Sequence, residues 1–176
     1  MIGVILAGGL SSRMGQDKAM LPFNGMNLLD HMLDLLEPLD CSEVYVSGNI
    51  EGYQCIKDSK NQLGPIGGLS AVLSRIPNDE EVLFIPVDMP CLTAGFLQKF
   101  KLNDYDAVAS EESPLPLIIK NVPEIRDKIS NQINNKRFSI RDFLLLVNTY
   151  YLPYARESEY FLQNANTPQQ WKSMTL

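Results

Sequence analysis

Apolar residues run without a break from Gly3 to Ala7 (GVILA) and again from Val82 to Val87 (VLFIPV). Short unbroken runs of this kind, closed by Gly8-Gly9 and by Asp88, predict strands buried on both faces of a parallel sheet. Between them the period changes. Leu28, Leu29, Met32, Leu35 and Leu36 recur at helical spacing, and Pro38 stops that helix. Leu69, Val72, Leu73 and Ile76 make a second helical stripe, opened by Gly64-Pro65 and ended by Pro77. EVYVS (Glu43 to Ser47) predicts a strand ending at Gly48-Asn49, and Tyr53 to Ile56 a weaker one running into Asp58. Later strands are expected at Ala107 to Ser110 and Leu117 to Lys120. Later helices are expected at 94–100, 123–133 and 140–147, with a last one opened by Pro168 at its first position. The methionines Met14, Met20, Met26 and Met32, spread through loop and helix, are expected to serve packing. Strands alternating with helices predict an α/β fold: a mostly parallel sheet with helices on both faces. No repeat or linker interrupts residues 1–176, so one domain is expected.

In open sheets of this kind, ligands bind beyond the carboxyl ends of the strands, near a switch in strand order. Four polar or glycine-rich segments fall at such ends: Gly8 to Lys18, Ser47 to Asn49, Asp58 to Gly68, and Asp88 to Pro90. In the first, LAGGLSSRMGQDK, the small residues Ala7, Gly8 and Gly9 let backbone N–H groups approach an anion closely. Arg13 can grip phosphate oxygens with a planar fork and Lys18 adds a compact charge, so a triphosphate suits the segment. A plain turn with two solvated cations satisfies the same pattern. Neither G-x-G-x-x-G nor G-x-x-x-x-G-K-[ST] is present.

Asp88, at the end of a buried strand and before Pro90, suits a hard cation such as Mg²⁺, which takes one or two carboxylates together with substrate phosphates. It equally suits a turn or helix cap. Gly64-Pro65-Ile66-Gly67-Gly68 could let a planar base lie against its backbone or serve as a rigid turn. Asp58, Ser47 and Asn49 are open to both ligand and surface readings.

Composition narrows the chemistry. Apolar content of 45% and charged content of 20% are those of an ordinary soluble globular chain. A net charge of -6 argues against a nucleic-acid surface, though not against a small anion held by a few local cations. Cys41, Cys55 and Cys91 are odd in number and lack C-x-x-C spacing, which reads as reduced thiols filling the core. No leader or membrane span is visible, so a cytoplasmic location is expected. His31 is the only histidine, expected at a surface or interface, and no G-x-S-x-G elbow accompanies it.

LAGGLSSRMGQDK resembles the L-A-G-G-x-S-x-R-M-G-x-D-K motif of the nucleotidyltransferases that modify the molybdenum cofactor, most closely the guanylyltransferases. GPIGGL, FIPVDMP and NANTPQQW continue the likeness in order along nearly the whole chain. The resemblance implies a Rossmann-like fold of the nucleotide-diphospho-sugar transferase type, with GTP, Mg²⁺ and molybdopterin (Mo-molybdopterin) as reactants. The cofactor's phosphate would attack the α-phosphorus of GTP, take up GMP and release pyrophosphate. Leu6, Ala7, Gly8 and Gly9 would hold the nucleotide through the backbone, with Gly67 beside it. Lys18 would contact phosphates, Arg13 neutralise their charge, Asp58 lie near the guanosine, and Asp88 hold metal and nucleotide. Asn164 and Asn166 match the N-x-N-T-P element near the reacting phosphates or the pterin. Relatives often carry asparagine at the end of the second strand, where this chain has Ser47-Gly48-Asn49, and either Ser47 or Asn49 could make that contact. Transient contact with cofactor-insertion or molybdoenzyme proteins goes with this reading. Cytidylyl transfer to the same cofactor, transfer to a sugar phosphate, and nucleotide binding without turnover are the alternatives. The sugar enzymes usually show L-A-G-G-x-G-T-R-L, which argues against them.

Overall fold

The computed structural model describes residues 1–7, 18–57, 63–166 and 168–174. Gly8, Gly9, Arg13, Met14 and Asp58 lie outside the described residues. The first apolar run is β1 (Ile2–Leu6), every residue of it buried. A 3-10 turn (Lys18–Met20) leads to a hairpin, β2 (Pro22–Phe23) and β3 (Met26–Asn27). Its turn, Asn24-Gly25, has positive φ at both residues (49° and 88°), the geometry that Asn-Gly favours and that matches strand twist.

Helix α1 (Leu28–Leu36) follows at once, because the Asn27 side chain caps it by accepting from Asp30 N–H at 2.8 Å. Leu28, Leu29, Met32 and Leu36 are its buried residues. Next come β4 (Glu43–Ser47), β5 (Cys55–Ile56), α2 (Gly64–Leu73) and β6 (Glu81–Pro86). The second half holds α3 (Ala94–Leu97), β7 (Ala107–Ser110), β8 (Leu117–Lys120), α4 (Pro123–Asn134) and α5 (Ile140–Leu144). It closes with β9 (Thr149–Leu152), α6 (Ser158–Phe161) and α7 (Pro168–Met174).

Among the described residues, seven strands form one sheet in the order β5-β4-β1-β6-β8-β7-β9. β8 alone runs against its neighbours; the other pairings are parallel. Apolar side chains fill both faces. Val4, Leu6, Val82 and Phe84 pack under α2, α4 and α5, while Ile5, Leu83 and Ile85 pack under α1 and α3. Met32 is core, whereas Met20 and Met26 are exposed, so the packing role expected of the methionines holds only in part. Cys91 is buried, and Cys41 and Cys55 are half-buried free thiols. No helix among the described residues is long and apolar enough to cross a membrane.

The site follows from this topology. From β1 the chain first builds outward through β4 and β5, then crosses to the other side for β6. The strand order therefore switches at β1. The register puts Leu6 beside Ser47 on one side and beside Pro86 on the other, so three strands end level at that switch. The pairing continues one residue further, with Ala7 N–H donating to Ser47 O and Val87 N–H to Leu6 O, both at 3.1 Å.

Candidate active site

Asp88 stands two residues past the end of β6, on the edge where β1 and β4 also end. Its side chain is 25% exposed, and the Lys18 ammonium lies 3.4 Å from its Oδ2. Lys18, at the start of the 3-10 turn, is itself only 16% exposed. Its Nζ also donates to Asn166 Oδ1 at 2.6 Å. An ammonium has three donors, and these two contacts engage two of them. Residues 70 and 148 positions apart thus meet at one ammonium group.

The chain's end is brought there by a backbone tie: Ala165, fully buried, donates its N–H to Asp88 O at 2.8 Å. Asn164 and Asn166 flank that tie. Asn164 is half-buried and Asn166 exposed, and Asn166 N–H is taken up by Gln170 Oε1 at 3.0 Å as α7 begins.

On the other side of β1, Ser47 is 2% exposed and turned toward Gly68 in α2. A Cβ on Gly68 would sit 2.9 Å from Ser47 Oγ and 3.2 Å from Leu6 Cδ2. Glycine there lets the start of α2 press against the ends of β1 and β4. Gly67, its neighbour, is also buried in that first turn. No acidic residue occupies the first turn of α2, so no carboxylate of that turn offsets the partial positive charge of its N-terminus.

Asn49 is exposed in the loop after β4. That loop is fastened at Tyr53, whose hydroxyl donates to Asp30 Oδ1 at 2.9 Å and accepts from Asn27 Nδ2 at 3.1 Å. Of the two candidates at the end of the second strand, Ser47 is therefore the walled-in one and Asn49 the one open to solvent.

Beyond β7 the same edge carries Glu111 and Glu112. Glu111 Oε2 accepts from Tyr154 N–H at 2.9 Å. Glu112 accepts from the hydroxyls of Ser110 and Ser158, and its carbonyl accepts from Arg141 at 2.7 Å. Burial pushes the Glu112 carboxyl up, but the hydrogen bonds from Ser110, Ser158 and the backbone outweigh it and hold it below its ordinary value. These contacts fix the start of α6, from which the chain returns to Asn164 and Asn166.

Of the residues singled out from the sequence, the structure brings Lys18, Asp88 and Asn166 together, with Leu6, Ala7, Ser47 and Gly67 along the same edge. His31 keeps part of the surface expected of it and also makes a contact that the sequence does not mark. It is half-buried and bonded through Nε2 to Pro90 O at 3.0 Å. Glu112 and Tyr53 were not anticipated. Tyr53 depends on a partner 23 residues away, and Glu112 on one 46 residues away besides its neighbour Ser110, which no local pattern marks.

Solved structures share this architecture. A molybdopterin-guanine dinucleotide biosynthesis protein A from Archaeoglobus fulgidus superposes with a TM-score of 0.80 at 20% identity, covering 99% of this chain and 96% of that one. A 2-C-methyl-D-erythritol 4-phosphate cytidylyltransferase from Thermus thermophilus gives 0.71 at 15% identity, covering 98% and 96%. The fold is that of the nucleotidyltransferases. The MobA-like NTP transferase domain model matches residues 3–142. A molybdenum cofactor guanylyltransferase of Xanthomonas euvesicatoria pv. vesicatoria is 34% identical over 98% of this chain and 93% of its own length. One from Shewanella sediminis is 28% identical over 98% and 94%. The chain belongs to the molybdenum cofactor guanylyltransferase family of MobA-like NTP transferases.

Proposed function

We propose that this protein transfers GMP from GTP to the terminal phosphate of molybdenum-loaded molybdopterin and releases pyrophosphate. One observation carries the reading: a cation, a carboxylate and an amide oxygen, from three distant parts of the chain, converge at the strand-order switch. Family membership supplies the reaction class.

The acceptor phosphate is already an anion, so no strong base is needed. Its oxygen attacks the α-phosphorus in line, the bond to the bridging oxygen breaks, and pyrophosphate departs with the electron pair. What the protein must supply is positioning and neutralisation of charge on the reacting phosphoryl group. Lys18 is placed for the second task. Asn166 holds the ammonium in line through its 2.6 Å contact, and the Ala165–Asp88 backbone bond keeps Asn166 in range. The N-terminus of α2, beside the level ends of β1 and β4, offers backbone donors to the nucleotide on the far side.

Asp88 fits a magnesium ion. Its donors are hard carboxylate oxygens, it is partly open, and it neighbours an amide oxygen, while the remaining positions would fall to substrate phosphates and water. Among the described residues no cluster of three acidic, histidine or cysteine side chains competes for the metal. Bound there, magnesium would supply charge neutralisation to the triphosphate.

Titrating the protein with GTP and with CTP, each with Mg²⁺, in a calorimeter tests the nucleotide assignment. GTP is expected to bind the more tightly; tighter CTP binding would turn the assignment to cytidylyl transfer.

A further inference from the structure

Behind the Lys18–Asp88–Asn166 cluster lies a second layer drawn from the same three chain segments. Phe23 follows Lys18 in the hairpin, Pro90 follows Asp88, and Trp171 follows Asn166 in α7. His31, on α1, stands among them. Its ring packs on Phe23 at 4.6 Å between centroids, and Phe23 in turn meets Trp171 edge-on at 5.6 Å. His31 Nε2 lies 3.0 Å from Pro90 O. A carbonyl only accepts, so Nε2 must carry the proton.

We propose that His31 is a positioning residue for the reaction, fixing the Asp88-Met89-Pro90 turn relative to the segments that carry Lys18 and Asn166. The inference rests on the proposed function for its kinetic consequence, but its structural content does not depend on which nucleotide binds. Proline explains why a side chain is needed. Pro90 has no N–H, and of the turn's own hydrogen bonds Met89 N–H to Pro86 O is long at 3.4 Å, while Leu92 N–H to Met89 O, at 3.2 Å, stands at the upper end of the ordinary range. The turn that presents Asp88 is weakly closed from within, and the imidazole braces it from outside. The same ring, through Phe23 and Trp171, meets the two elements adjoining the other members of the cluster. One side chain thereby couples all three.

Two substitutions separate the parts of this role. His31→Phe keeps a ring against Phe23 and removes the donor, whereas His31→Gln places an amide donor near the position of Nε2 and removes the ring. Amide hydrogen exchange on the full chain reads the turn directly. In His31→Phe the amides of Ala165 and Leu92 should exchange about 10-fold faster, the size of one net hydrogen bond. The β6 amides of Leu83 and Ile85 should be unaltered, and His31→Gln should restore most of the protection. In parallel, His31→Phe should lower kcat for GMP transfer about 10-fold with KM for GTP within about twofold, a loss typical of a group that orients a ligand-bearing residue. His31→Gln should recover most of it. Unaltered exchange at Ala165 and Leu92 in His31→Phe, or a glutamine variant as impaired as the phenylalanine one, overturns the proposal. Wild-type protein that ignores GTP would strike the functional reading instead, while the exchange measurement still decides the role of His31.

Discussion

Replacing Lys18 by alanine tests the site at the group on which its contacts converge. The ammonium sits 3.4 Å from Asp88 Oδ2. Unit charges that far apart, in the effective dielectric of about 20 that suits groups near a protein surface, attract by about 5 kcal/mol. A phosphate oxygen taking up a similar position would gain a similar gross energy. Stripping water from a side chain only 16% exposed costs less than for a fully solvated lysine, yet it still returns part of that gain. A net loss of about 3 kcal/mol in the transition state remains, which is about 100-fold in turnover.

The fold should tolerate the change. The Lys18 turn buries only Ala19, and an ion pair this close to solvent contributes at most about 1 kcal/mol to stability. The midpoint of thermal unfolding should therefore move by less than about 4 °C. Steady-state pyrophosphate release, measured beside a melting curve, gives both quantities. Near-normal turnover in the alanine variant refutes the reasoning, and so does a turnover loss that merely follows a collapse in stability.

Three further outcomes follow from the same geometry. Asp88→Asn removes one charge with little change of shape, and it should lower turnover by at least about 100-fold and abolish the strengthening of GTP binding by Mg²⁺ in calorimetry. Gly68→Ala puts a Cβ 2.9 Å from Ser47 Oγ and 3.2 Å from Leu6 Cδ2; such overpacking should cost about 1–3 kcal/mol in urea unfolding, and wild-type stability would show that α2 does not press on the strand ends. Glu112 is held below its ordinary value, so its contribution to stability is complete above the unfolded value of about 4.3 and is lost as pH falls through the lower native one. Glu112→Gln should therefore lower the melting temperature at pH 7 and flatten its decline in acid, and an unchanged acid limb would count against the Ser110–Glu112–Ser158 contacts.

The central sheet could be read from apolar runs because β1, and β6 after its exposed first residue Glu81, are buried on both faces, which leaves no polar position inside them to blur the run. Strands β4, β7 and β8 were anticipated with their observed ends, and α1 and α2 from their leucine stripes. The reversed direction of β8 was not foreseen, since no residue within a strand encodes whether its neighbour runs with it or against it. The hairpin of β2 and β3 was missed although Asn24-Gly25 marks its turn, because two-residue strands carry no period. Strand β9 and helix α6 were also overlooked. Each spans four residues, and each is held by long-range contacts, to β7 in one case and to Glu112 in the other.

For the site, Lys18 and Asp88 stand out at the strand ends, each open to a ligand or a structural role, and Asn166 is marked by the family resemblance. Their meeting was implied by the resemblance but not by any local pattern, because it depends on the backbone bond from Ala165 to Asp88, between segments far apart in the chain. His31 shows the complementary limit, since its partly exposed position is legible and its bond to Pro90 is not. A single histidine on an amphipathic helix looks like surface until the turn after β6 is folded against it.

The most direct test is pyrophosphate release on mixing the protein with GTP, Mg²⁺ and molybdenum-loaded molybdopterin. The prediction is one pyrophosphate released for each guanine dinucleotide formed, with no comparable release when CTP replaces GTP or when the acceptor is left out. Absence of release at every Mg²⁺ concentration tried, with GTP still bound, would contradict it and leave a protein that binds the nucleotide without transferring it.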